Sequence, residues 1–390
     1  MASVNVTSEQ INPQSLIEAA RGMLPLVKAA CAEANANADV LPETIAAIKK
    51  AGLFRAFQPK RWGGLELDPR DTYAIQNVFA QVCVSTAWIY GVLCVQSFML
   101  GRMDSLAQSD VWANNPDALV CSSFMPTGRV TPVEGGYRIS GRYGFSSGSS
   151  HAQWAIVGGM VPPDDARPEP QMRLFLVPMS DLEIDRVWDT FGLRATGSND
   201  LVINNAFVPA YRTYVPDAGI MPLPASSGLP ALYRLPWLYV FASSISNLGV
   251  GAARGALATF AAVTRDRQGS MGAPPARENP RFLSAIGRTR VEIDTVERQL
   301  NDNFAKLADH VARDTALPLD EALLYRGQLT SNLRKLVVLV DEMMLLLGAR
   351  GIQRNGPLTQ VWLDLSAARA HAGNDPTAIH AQIAGELLKV

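Results

Sequence analysis

The chain has 390 residues and a formal net charge of −1, with 48% of its residues hydrophobic and 18% charged. That length calls for more than one core, and the balanced charge, without a basic stripe interleaved with aromatics, gives no footing for nucleic-acid binding. Cys31, Cys83, Cys94 and Cys121 show no CxxC or Cys/His spacing, so they read as free thiols of a reducing, cytoplasmic compartment rather than as a disulfide frame or metal site.

The first residues, MASVNVTSEQINPQ, lack a basic region followed by an apolar core, so no secretory leader is expected. From about residue 14 to 115 the pattern is helical. "SLIEAARGMLPLVKAACAEANANADVLPETIAAIKKAGLF" places apolar residues three and four apart, with Pro42 opening a helix and Gly52 closing it. After the loop "QPKRWGGLELDPRD", Thr72 to Leu100 reads as a long helix interrupted near Ser85. Its most apolar run, Ala87 to Leu100, is too short for a bilayer span. No membrane association is expected.

Composition changes near residue 117. From Ala118 to Val215 short β-rich runs alternate with Gly, Pro, Asn and Asp turns. Such a run of strands suggests a small barrel or sandwich. Residues 215–235 form a Pro/Gly/Ser-rich linker. Helical spacing then returns over Leu235–Arg265, Asn279–Arg313 and Asp320–Leu347, with a last part from Leu358, as in an antiparallel four-helix bundle. The expected division is 1–116 helical, 117–220 β and 221–390 bundle: a mainly α protein with a central β-domain.

Several chemistries lack their motif. There is no P-loop. "GVGAARGA", Gly249 to Ala256, is mis-spaced for a dinucleotide fingerprint and lies inside a helix, so its glycines read as helix-packing residues. Ser147 and Ser150 flank Gly148, but a strand follows rather than the helix a nucleophile elbow needs. His151, His310, His371 and His380 form no metal-ligand pair.

Three stretches remain. "GYRISGRYGFSSGSSHAQWAIVGG" reads as a hairpin whose tip, Phe145-Ser146-Ser147-Gly148, trades apolar alternation for hydroxyls behind one ring; His151 at that tip has no assigned role. "DTFGLRATGSND" offers Arg194 and Ser198 to an anionic or carbonyl-rich ligand, or is a solvated loop. "RAHAGNDPTAIH" breaks a helix at His371, where an imidazole facing a cleft suits proton transfer. Trp88, Tyr90 and Gln96 line a pocket or pack a core.

The order of these parts resembles the acyl-CoA dehydrogenase superfamily over nearly the whole chain. The resemblance rests on residues 50–64, on "CSSFMPTGRVTPVEGGYRISGRYGFSSG", on "GLRATGSNDLVINNAFVP" and on "RDRQGSMGAPPARENPRF". Two departures stand out. The family's Trp-Ile-Thr-Asn run is matched by Phe145-Ser146-Ser147-Gly148, and the position of its catalytic glutamate by Ala372, next to His371. With these, the chain is similar to the flavin-dependent monooxygenases of this fold, the oxygenase components of two-component systems. Members hydroxylate phenols; related enzymes act on indoles, polyketide aromatics, or nitrogen and sulfur atoms.

The resemblance implies reduced FMN or FAD supplied by a separate NAD(P)H:flavin reductase, reaction with O2 through a C4a-hydroperoxyflavin, and a small aromatic substrate. It implies flavin contacts from Phe145, Ser146, Ser147, Gly148, Arg194 and Ser198, with Arg267, and after it Arg265, reaching the phosphate. Ser147 and His371 carry the catalytic roles, His371 by taking the substrate's proton. Trp88, Tyr90, Gln96, His371 and Asn374 form the substrate pocket. A homotetramer is implied too, with "LLGARGIQRNGP" at 346–357 lent to a neighbouring subunit. An FAD-containing acyl-CoA dehydrogenase, an N- or S-oxygenating enzyme and a non-catalytic flavin-binding protein are the alternatives.

Overall fold

The computed structural model describes residues 12–165, 167–269 and 274–389. The reading of the first residues as leaderless, and Ser270 to Ala273 within the phosphate-side segment, lie outside these.

The chain begins with helices α1 (Pro13–Gly22), α2 (Leu24–Asn37), α3 (Pro42–Lys50), α4 (Pro69–Ala80), α5 (Val84–Gly101) and α6 (Ser105–Trp112). Asn12, Asp68 and Asp104 cap α1, α4 and α6, each side chain accepting a free N–H of the first turn. The break between α4 and α5 falls at 81–83, a few residues before the expected Ser85. Every residue of α5 is buried. By length and composition Val84–Gly101 could cross a membrane, so the run is longer than the sequence reading allowed; 94% of it is enclosed by the fold, which makes it a core helix.

The sheet contains β1 (Val120–Val133), β2 (Gly136–Ser146), β3 (Trp154–Val161), β4 (Gln171–Pro178), β5 (Leu182–Asp185), β6 (Asn199–Pro209) and β7 (Thr213–Tyr214). Among the described residues these pair as one seven-stranded sheet in the order β5-β6-β2-β1-β3-β4-β7. β1 and β3 run parallel; the other pairs are antiparallel. The β2–β6 register slips between Tyr143 and Ser146. Such a bulge bends a strand and re-aims its side chains, and this one lies at the serine run.

The rest is helical: α7 (Ala231–Arg234), α8 (Trp237–Ser246), α9 (Leu248–Asp266), α10 (Pro280–Arg313), α11 (Leu319–Leu346), α12 (Thr359–Ala368) and α13 (Thr377–Leu387). The expected single helix over Leu235–Arg265 is two, parted at Asn247. α9, α10 and α11 pack on one another, and α9 lies on α4. A Cβ added to Gly251 would stand 2.2 Å from the Asn77 carbonyl oxygen of α4. The glycines of "GVGAARGA" therefore serve helix packing, as their position inside a helix suggested. α5 touches α4, α8 and β1, so its sheet-facing side, the end of β2 and α8 enclose one space.

Candidate active site

That space is a cleft of about 50 Å³. α5 presents Trp88, Val92 and Gln96 to it, and α8 presents Phe241 and Ile245. Residues four apart share a helix face, which explains both sets. Ser122 of β1, Phe145 and Ser147 at the end of β2, and His371 after α12 complete the lining.

The serine run is held in an unusual shape. Phe145 has a φ of 62°, a left-handed conformation that costs a non-glycine residue about 1–2 kcal/mol. Its N–H reaches Asp200 Oδ1 at 3.3 Å. The ring is 68% exposed and meets Trp188 edge-on, centroids 5.7 Å apart. Gly148, at φ +70°, donates its N–H to the Thr196 carbonyl at 3.0 Å. A Cβ there would crowd Leu93 and Ile89 at 3.2 and 3.3 Å, so the loop lies directly on α5.

Behind the loop runs a chain of hydroxyls with a fixed direction. Thr196 Oγ1 donates its one proton to the Leu193 carbonyl at 2.8 Å. Ser198 must then donate to Thr196, at 2.7 Å, and Ser147 to Ser198, also at 2.7 Å. Ser147 Oγ accepts from Trp88 Nε1 at 3.1 Å. A hydroxyl has one proton and two acceptor sites. Ser147 is thus left with a single free lone pair, and it faces the cleft as an acceptor.

The chain ends on a strained peptide. Leu193 has a φ of 53°, and its N–H donates to Asp364 Oδ1 at 2.7 Å. Its carbonyl also accepts from Trp188 Nε1 at 2.9 Å. Asp364 is 1% exposed and accepts from Gln360 Nε2 as well, at 2.8 Å. Burial pushes its carboxyl up to about 6, against the pull of these two bonds.

His371 lies edge-on to Trp88, ring centroids 5.7 Å apart. Its Nδ1 accepts the Gly373 N–H at 2.9 Å, so the proton of the neutral ring resides on Nε2. Enclosure by the cleft walls, then the charge of Arg326, lowers its pKa to about 4. His371 is exposed as a whole residue, and the neighbouring charge acts in the same direction as the enclosure of its ring. As placed, the ring presents an N–H rather than a basic nitrogen, so the geometry supports donation over the expected removal of the substrate's proton. The free nitrogen already holds one, and charging the ring would break the bond to Gly373. His371 offers a donor.

The other expected residues lie elsewhere. Ser198 sits behind Ser147, and Ser146 is buried against the Cys121 thiol. Arg194 donates to the Asn35 carbonyl at 3.1 Å, to Asp189 at 2.7 Å and to the Thr190 carbonyl at 2.8 Å; it holds its own loop to α2. Tyr90 packs between Phe54 and Phe79 in the core. Asn374 is fully buried, bonded to Ser246 and donating to the Ile245 and Ala368 carbonyls. It pins the turn that carries His371. Arg267 donates to the Leu346 carbonyl at 3.1 Å and covers the Phe282 ring, away from the cleft lining. His151 gains a role: its Nε2 and the Ser150 hydroxyl both bind Asp39, at 3.0 and 2.6 Å. Burial works against ionisation there, yet those bonds keep the Asp39 carboxyl below its ordinary value. Sequence reasoning missed Ser122, Phe241, Ile245, Thr196 and Asp364.

An outward ring, an acceptor hydroxyl and a donor imidazole around a narrow cleft suit a flat ligand with both N–H groups and carbonyls. Residues 243–376 match the family described as "Acyl-CoA dehydrogenase, C-terminal domain". The chain is 33% identical over 375 residues to the "Flavin-dependent monooxygenase, oxygenase subunit HsaA" of Mycobacterium tuberculosis, covering 94% of each. It is 30% identical over 388 residues to the "FADH(2)-dependent resorcinol hydroxylase, oxygenase component" of Rhizobium sp., covering 96% of this chain and 94% of the relative. XiaF from Streptomyces sp., solved with FADH2 and glycerol, superposes with a TM-score of 0.89 at 26% identity, covering 97% of this chain and 96% of its own.

Fold and cleft together define a flavin-using oxygenase built on the acyl-CoA dehydrogenase scaffold. The chain belongs to the family of flavin-dependent monooxygenases, as an oxygenase component that uses reduced flavin and O2 and works with a separate flavin reductase.

Proposed function

We propose that this chain hydroxylates a small aromatic substrate that carries a hydroxyl group, bound in the cleft between α5, α8 and the His371 turn. The observation that carries this reading is Gln96. It lines the cleft, is 1% exposed, and neither its Oε1 nor its Nε2 has a partner. An unsatisfied buried polar group costs about 1–3 kcal/mol. A substrate hydroxyl matches both atoms, donating to Oε1 and accepting from Nε2. Trp88 and Phe241 supply aromatic walls. The resorcinol hydroxylase relative supports a phenol. At about 50 Å³ the cleft holds roughly one or two waters, so an aromatic ring enters by widening it.

The Phe145 ring and the Ser146–Gly148 backbone would hold the flavin, and the acceptor lone pair of Ser147 fits a ring N–H of its reduced form. Bound there, reduced flavin supplies the activated oxygen. His371 donates from Nε2 to the oxygen of substrate or oxidant and stays neutral. Ser198 and Thr196 keep the Ser147 proton turned inward. Arg194 stiffens the loop beneath. Arg267 would reach the flavin phosphate where neighbouring copies of the chain pack in a homotetramer. A cytoplasmic setting fits the four free cysteines. Dehydrogenation of an acyl thioester is disfavoured, since no carboxylate among the described residues lines the cleft and Ala372 borders a different cavity.

The test supplies reduced FMN or FAD from a generic reductase, with O2 and a panel led by resorcinol. The expected result is a hydroxylated product formed at the expense of released peroxide. Flavin that reoxidises at its free rate, with no product from any phenol or indole, would refute the reading.

A further inference from the structure

A second cavity, about 210 Å³, lies on the other side of the His371 turn. Ile220, Leu238, Leu323 and Ile379 supply apolar walls, and Arg326 of α11 supplies a charge. Arg326 donates from Nη2 to the Gly373 carbonyl at 2.5 Å. Its Nη1 is buried with no partner. Among the described residues no carboxylate lies within ion-pair distance of it. Asp375 also borders the cavity, but its Oδ1 accepts the Thr377 N–H and hydroxyl at 3.0 and 2.8 Å, and Arg334 is its neighbouring charge. Tyr239 lines the same wall; its Oη makes no hydrogen bond of ordinary length, although Asn303 is near.

A half-buried guanidinium with one enclosed, idle nitrogen is costly unless something anionic meets it. We infer that this cavity is a binding site for a small carboxylate on a flat apolar body, with Arg326 Nη1 as its charged donor. Carboxylate and guanidinium match in geometry, and the apolar walls suit an aromatic body. The site bears on the active cleft through one residue, Gly373. Arg326 holds the Gly373 carbonyl, and His371 Nδ1 holds the N–H of the same residue. A carboxylate that draws Arg326 toward itself therefore shifts the turn that presents His371.

The binding arm does not depend on the proposed activity. Calorimetry with the flavin-free full chain compares benzoate with benzamide, a neutral probe of the same shape. Benzoate should bind at least about tenfold more tightly, the scale of one charge-assisted bond. Arg326→Gln should lose that preference. Ala378→Phe, from an exposed position of α13 bordering the cavity, should fill the site and abolish binding with Arg326 intact, which guards against misfolding of the first variant. Gln96→Leu, in the active cleft, should bind benzoate normally. Equal binding of the two probes, or loss in Gln96→Leu with retention in Ala378→Phe, overturns the site.

The activity arm rests on the hydroxylase reading and asks where the carboxylate comes from. Benzoate that raises KM for resorcinol identifies the site with an acidic tail of the substrate. Benzoate that changes kcat alone identifies a separate acid acting through Gly373. Benzoate that binds but alters neither overturns the coupling to His371.

Discussion

Trp88 Nε1 donates to Ser147 Oγ at 3.1 Å, and this one bond joins the core helix α5 to the loop after β2 that lines the cleft. It fills one acceptor site of Ser147 while Ser198 takes its proton, so the hydroxyl keeps one orientation. Preorganised polar groups of this kind act without reorganising at the moment of reaction.

Ser147→Ala removes the acceptor and leaves the Trp88 N–H without its partner. The protein should lose about 1 kcal/mol of stability and still bind flavin. Its oxidation should become uncoupled, with several-fold more peroxide per product. Peroxide and product assayed together under limiting oxygen decide it. Unchanged coupling removes Ser147 from the chemistry.

Gln96→Leu should separate stability from function. The buried amide has no partner among the described residues, so leucine, of similar size, relieves an uncompensated cost and should raise stability by about 1 kcal/mol. Hydroxylation of phenols should fall at least tenfold, mainly through KM. A variant that is less stable and fully active would place Gln96 among ordinary core residues.

The His371 tautomer can be tested by replacement. Glutamine retains an N–H donor and has no basic nitrogen, so His371→Gln should keep a good part of the coupled activity that His371→Ala loses. If both are equally uncoupled, His371 is a base after all. The pH dependence has a definite sign. A folded pKa lowered from 6.5 to about 4 means that the neutral ring's contribution is complete above about 6.5 and is lost as pH falls toward 4. Activity should accordingly stay level from pH 6 to 8 with respect to this group, and a histidine-detected NMR titration should show the ring neutral throughout that range.

Helix periodicity made α5 visible and put Trp88 and Gln96 on one face. It could not separate Tyr90 from them by residue type. Two residues on an α-helix are about 200° apart, so Tyr90 turns into the core beside Phe54 and Phe79. The break between α4 and α5, and the one at Asn247, contain no Gly or Pro, so local signals misplaced the first and missed the second. The strands were legible, but the parallel β1–β3 pairing was not, because pairing order depends on contacts distant in sequence. The serine run was legible as an anomaly. Its direction of donation was not, since it depends on Thr196 and Leu193, and Leu193 in turn on Asp364, 171 residues away.

That long-range contact gives the last prediction. Asp364 is fully buried with its pKa raised from 3.8 to about 6. A folded pKa above the unfolded one means that the group's contribution is complete below about 3.8 and is lost as pH rises through about 6. At neutral pH the ionised carboxylate therefore weighs against the fold. Asparagine keeps an oxygen that can accept the Leu193 and Gln360 N–H groups and carries no charge. Asp364→Asn should thus raise stability at pH 7–8, by up to about 2–3 kcal/mol from a shift of roughly two pKa units, and flatten the pH dependence between 4 and 6. Asp364→Leu removes the acceptor and should release the Leu193 peptide. The Ser147 hydroxyl chain then loses its anchor, and peroxide release should rise as in Ser147→Ala. Thermal unfolding from pH 4 to 8, beside the peroxide assay, tests both variants. Destabilisation by Asp364→Asn at pH 8 would show that the charge, and not the acceptor oxygen, is what the fold requires there.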